Sequence, residues 1–188
     1  MTRVLEAAQQ VNLLESAHFV SARHASLFLA RNGGVHDWTS LTVAALLGYS
    51  WLPQGGGIGM HDFDFEEQVV DILGRTDLAL DLDLEDIAEL SRLFKGQLPP
   101  TSLVLHFLNP DRYAFFDARV CRFLTGGDAV DEEVYLDLEL YVQFLDRMHA
   151  LANSIQAAQL VSRVREHYPA TPRLQAINLT MLEAGARL

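Results

Sequence analysis

The strongest constraint on this chain is a spacing. Apolar residues recur three and four apart in one segment after another, and each segment opens on a capping residue or closes near glycine. Val4, Leu5, Ala8, Val11 and Leu14 set the pattern in "RVLEAAQQVNLLES". "AHFVSARHASLFLARNGG" follows it and ends on the pair Gly33–Gly34, suited to a helix C-terminus. "DWTSLTVAALLGYSW" opens on Asp37 as an N-cap, and "FEEQVVDILGR" and "LEDIAELSRLFKG" each close near glycine. "DEEVYLDLELYVQFLDRMHALANS" has acids in its first turn, and "IQAAQLVSRVREHYP" and "PRLQAINLTMLEAGARL" complete the series. The expectation is an all-α fold of roughly eight to ten helices.

Two segments break the rule. "DLALDLDLED" alternates Leu78, Leu80, Leu82 and Leu84 with acids, but one strand has nothing to pair with, so it reads as a loop entering a helix. "LPQGGGIGMHD" holds Gly55 to Gly57 and Gly59. No strand precedes these glycines and no Gly-Lys-Ser/Thr follows, so they read as a linker rather than a phosphate cradle.

The 188 residues, 49% of them hydrophobic, suffice for one compact unit. A lone cysteine, Cys121, excludes a disulfide framework and any four-cysteine metal site, and points to a reducing compartment. The first turns carry charged or amide residues, unlike a signal peptide, and no run approaches the roughly 20 apolar residues of a membrane span. A cytoplasmic protein with no membrane partner is expected. His18, His24 and His36 lack the spacing of four that marks a helical metal pair, so neither metal nor cofactor is expected.

The net charge of −11 argues against a polyanionic partner, but it is unevenly spread. His61 to Leu90 holds eleven acids against Arg75 alone, and Asp128 to Asp146 seven acids and no Lys or Arg. These blocks read as solvated helix faces or as a surface for another protein. Between Arg92 and Thr125 the balance reverses: Arg92, Lys95, Arg112, Arg119 and Arg122 face only Asp111 and Asp117.

That basic island contains "LPPTSLVLHFLNPDRYAFFDARVCRFL", residues 98–124. "KGQLP" is a turn between two helices, the second beginning after Pro99 and Pro100, and "NPDRY" is another turn. "DARVCRFL" starts a third helix, with Asp117 at its N-cap, Val120, Phe123 and Leu124 inward, and Arg119 and Arg122 together on another face. By composition alone Asp117 is either a cap or a site, and His106, between Leu105 and Phe107, is a buried, satisfied histidine before it is a base.

This stretch resembles the helix-hairpin-helix superfamily of DNA glycosylases, which includes endonuclease III and the 3-methyladenine glycosylases. "FFDARVCRF" matches the element in which an aspartate opens a helix, and "LFKGQLPPTS" lies on the hairpin. Pro99, Ser102, His106, Pro110, Asp111, Arg112, Tyr113, Asp117 and Arg119 are similar to an uncharacterised branch of that superfamily. The hairpin's two glycines fall on Lys95 and Gln97, with Gly96 between them, and the nucleophilic lysine of bifunctional members falls on Pro99. A proline forms no Schiff base, so lysine-based β-lyase chemistry is not expected.

The resemblance implies a two-lobed helical bundle, with residues 66–126 as the helix-hairpin-helix lobe and 1–65 with 127–188 as the other. It implies DNA, double- or single-stranded, as partner, with Lys95, Gly96, Gln97, Arg119 and Arg122 at the phosphates. Asp117 would stabilise the sugar cation as a modified base leaves and orient the attacking water. A flipped base needs an aromatic pocket, for which Trp38, Tyr49 and Trp51 are candidates, although such residues in a helical protein are commonly core. Two classes therefore stand: a monofunctional DNA N-glycosylase, and a non-catalytic protein of the same fold whose acidic faces bind another protein in the manner of an inhibitor or antitoxin.

Overall fold

The computed structural model describes residues 2–52, 63–77, 82–128 and 130–188. Among the described residues the chain is all-helical, with ten α-helices and no strand. They are α1 (Thr2–Gln10), α2 (Ala17–Arg31), α3 (Trp38–Tyr49), α4 (Phe63–Asp77), α5 (Leu84–Arg92), α6 (Leu98–Leu108), α7 (Ala118–Thr125), α8 (Leu138–Ala152), α9 (Ile155–His167) and α10 (Arg173–Gly185). Single 3-10 turns, Leu13–Glu15 and Glu132–Leu136, precede α2 and α8. The glycine-rich linker and Leu78 and Leu80 of the alternating segment lie outside the described residues, and Leu82 and Asp83 lead irregularly into α5.

Side-chain caps explain where most helices begin. Ser16, Asp37, Asp83, Asp117, Asp137 and Ser154 each accept a backbone N–H from the first turn of the helix they open. At the other end of α2, Gly33 (φ 78°) and Gly34 (φ 71°) take the left-handed backbone that lets the Gly34 N–H reach the Leu29 carbonyl at 2.9 Å. Two boundaries differ from expectation. α6 begins at Leu98 rather than after Pro100, because prolines fit a first helical turn whose N–H groups have no intrahelical acceptor. The acidic run Glu132–Leu136, capped by Asp131, is a 3-10 turn separate from α8, which starts afresh at the Asp137 cap.

α6 and α10 are buried on nearly every side and form the axis of the molecule. α2 and α3 pack on α6, while α10 makes its most extensive contact with α7. The buried side chains join in one cluster that runs through residues 66–126 and through the segments before and after them. In α7, Val120 and Phe123 face inward as expected, but Leu124 is 47% exposed and Arg119 is buried.

Between α6 and α7 the chain crosses the interior as an extended strap, Tyr113–Phe116, whose four side chains are all buried. Interior backbone must find hydrogen-bond partners, and side chains from three helices supply them. His106 of α6 bonds the Tyr113 carbonyl through Nδ1 at 2.8 Å, and the Tyr141 hydroxyl of α8 donates to the Ala114 carbonyl at 3.0 Å. Asn178 of α10 pairs with both polar groups of Phe115, accepting from its N–H at 2.8 Å and donating to its carbonyl at 3.1 Å. The Phe116 N–H donates to Ser102 Oγ at 2.9 Å. The strap ends at Asp117 and so fixes where that carboxylate stands.

Candidate functional site

Asp117 is the N-cap of α7 and only 3% exposed. Its Oδ1 accepts the backbone N–H groups of Arg119 and Val120, both at 3.0 Å. Its Oδ2 accepts Arg119 Nε at 2.7 Å and Nη2 at 2.5 Å. A carboxylate offers about four lone-pair sites, and here four donors fill them. Both guanidinium donors converge on the one oxygen, a charge-assisted contact, while the other oxygen serves the helix cap.

Arg119, 8% exposed, spends its other donors on the surroundings. Nη2 also reaches the Trp51 carbonyl at 3.2 Å, and Nη1 meets His18 Nε2 at 3.1 Å. His18 Nδ1 lies 2.9 Å from Glu183 Oε1, to which Ser16 Oγ also donates. Donor and acceptor roles match along this line when His18 carries its proton on Nδ1 and accepts from Arg119 on Nε2. The network runs from the sealed Asp117 to His18, whose side chain is 37% exposed.

Of the aromatic candidates, Trp51 stands beside the ion pair and packs edge-on against His18 (centroids 5.3 Å), Phe107 (5.4 Å) and Phe115 (6.0 Å). Tyr49 is 8% exposed and packs against Phe94 of the α5–α6 turn at 5.5 Å. Trp38 begins α3 and Tyr49 ends it, which separates them by about 16 Å along the axis.

Of the basic residues, Arg119 is buried and the others reach the surface. Lys95 and Gln97 are exposed at the α5–α6 turn, Gly96 is half-buried, and Arg122 is half-buried with Nε on the Ala118 carbonyl. Arg119 turns inward. Lys95 (φ 57°) and Gly96 (φ 79°) take left-handed backbone, whereas Gln97 is extended at φ −81°. An anion at a helix N-terminus is held by free N–H groups, yet α6 opens Leu98–Pro99–Pro100, where two of the first three residues have none. Gln97 caps it without a side-chain hydrogen bond.

Two buried groups near the strap are held neutral. Burial lowers the His106 pKa to about 4, against a smaller upward pull from its bond to the Tyr113 carbonyl. Cys121, 3% exposed, is pushed up to about 12, chiefly by burial and then by the Asp117 charge, so its thiol stays protonated and unreactive. Among the described residues no group of three or more His, Cys, Asp or Glu side chains is placed to hold a metal ion. No helix among them is long and apolar enough to cross a membrane.

Sequence reasoning picked out Asp117 and Arg119 but not their pairing, and it missed Ser16 and Glu183 altogether. No local signal marks them, since His18 lies 101 residues from Arg119 and 165 from Glu183. Comparison with protein-family models, with curated proteins and with solved structures finds no match for this chain.

Proposed function

We propose that this protein is a non-catalytic binding module on a glycosylase-like helical frame, in which Asp117 anchors Arg119 instead of attacking a sugar. The observation that carries this reading is the filled coordination of Asp117: a carboxylate that activates water needs a free lone pair aimed at solvent, and all four sites are occupied in a buried pair. The α6 N-terminus, short of N–H donors, and the net charge of −11 also argue against a phosphate-binding hairpin.

The partner this reading favours is a protein with a basic surface. Asp131, Glu132, Glu133, Asp137 and Glu139 are exposed around Leu136, itself 55% exposed, which gives one apolar contact inside an acidic field. N-glycosidic hydrolysis by Asp117 is the second reading. It is favoured by the position of Trp51 and His18 against Arg119, the aspartate's partner, and it requires Arg119 to withdraw when a base enters.

The experiment is base release from a panel of duplexes carrying modified bases, run beside binding of the wild-type protein to an undamaged duplex and to a lysine- and leucine-bearing helical peptide. The expected result is no base release and tighter binding to the peptide than to the duplex at equal salt. Base release that disappears with Asp117→Asn, in protein shown to be folded, would overturn the proposal in favour of the enzyme.

A further inference from the structure

Beside α7, and reached by Phe116 at the end of the strap, the molecule carries a cavity of about 750 Å³, within the size range of small-molecule sites. Its floor is apolar and buried, with Phe116, Cys121, Phe123, Phe144, Met148 and Met181 contributing. Its polar lining is one-sided. Arg3, Arg147, Gln143 and Thr125 stand at its exposed edge, and among the described residues no acidic side chain lines it.

The two guanidinium groups differ in a useful way. Arg3 Nη1 donates to the Phe123 and Leu124 carbonyls at 3.1 and 3.2 Å, so α1 delivers a positive charge that the C-terminus of α7 holds in place. Arg147, on the exposed side of α8, has no hydrogen bond or ion pair among the described residues and is free to meet an incoming group. The acids Asp131, Glu132 and Glu133 are exposed between the lining residues Val130 and Val134 but do not themselves line the cavity, so the charges in its lining are those of Arg3 and Arg147.

We propose that this cavity binds an amphipathic carboxylate, with an unbranched apolar tail on the Phe116–Met148–Met181 floor and the carboxylate at Arg147 and Arg3. The tail is matched by aromatic rings and methionines, whose thioethers adapt to a flexible chain. A fully apolar ligand would leave the arginines unused, and a cation would meet two like charges. The inference is independent of the role of Asp117, which does not line the cavity.

Calorimetric titration with dodecanoate and, separately, dodecylammonium, both below their micelle-forming concentrations, tests it. Dodecanoate is expected to bind with 1:1 saturation and at least tenfold more tightly than dodecylammonium. Arg147→Glu reverses an exposed charge, so it should weaken dodecanoate at least tenfold with the melting temperature unchanged. Ala150→Trp, at an exposed position in the cavity wall, should block binding of both probes. Equal affinity for the two probes, indifference to Arg147→Glu, or absence of saturable binding to wild-type protein would each overturn the proposal; the last result would leave the groove as a surface for a protein segment.

Discussion

Gly185 of α10 lies directly on the backbone of Arg119: a Cβ built on the glycine would stand 1.8 Å from the Arg119 carbonyl oxygen and 3.2 Å from the Phe123 nitrogen. The two helices cross at this point because one of them has no side chain there. Backbone cannot swing aside as a side chain can, so Gly185→Ala must force α7 and α10 apart. The cost expected is at least the 1–3 kcal/mol typical of overpacking, read as a lowered urea midpoint, even though alanine is the better helix former.

The Asp117–Arg119 pair yields a second prediction through the same helix. Removing one partner of a buried pair strands the other charge, which costs about 3–5 kcal/mol. Asp117→Asn keeps a good N-cap but loses the neutralising charge, so it should destabilise far more than a cap-preserving change at an exposed site. Arg119→Leu in the same chain should recover part of that loss. A double-mutant cycle by chemical denaturation measures the recovery, and strictly additive effects would show that the pair is not coupled.

His106 predicts how stability responds to acid. Its pKa falls from 6.5 in the unfolded chain to about 4 in the fold, so the unfolded state binds the extra proton first. The stability it contributes is therefore fully present above about pH 6.5 and is lost as pH falls toward 4. A shift of that size corresponds to about 3 kcal/mol. Denaturation midpoints for wild type and His106→Asn, measured from pH 7 to 4, should converge as the pH falls.

Asn178→Leu tests the strap. The substitution is close in volume but leaves both polar groups of Phe115 buried without partners, each at about 1–3 kcal/mol. The Phe115 amide should exchange its hydrogen much faster in the variant, measured against the Val120 amide, which Asp117 still holds.

How far the sequence reveals this molecule depends on the range of the forces involved. Helices are legible because caps and three-to-four spacings act within one turn, and Asp37 and Asp117 open α3 and α7 where their chemistry predicts. Arg119 illustrates the limit. Its spacing puts it with Arg122 on a solvent face, yet Asp117, Trp51 and His18 draw it into the interior, and two of these three lie far off in sequence. Leu124 is the converse: its place on the helix suggests core, but Arg3 and the mouth of the cavity occupy that side. Distant partners leave no periodic trace, so the ion-pair network and the cavity emerge only when the chain is folded.

The Tyr113–Phe116 strap changes what can happen to this chain over generations. Connections between helices ordinarily absorb inserted or deleted residues, because water can satisfy whatever backbone is added. Here a single inserted residue would shift every carbonyl and amide past His106, Tyr141, Asn178 and Ser102 at once, and no one replacement could restore the match. The length of this connection is accordingly fixed more tightly than the identity of many core side chains, and relatives that diverge elsewhere should retain it residue for residue.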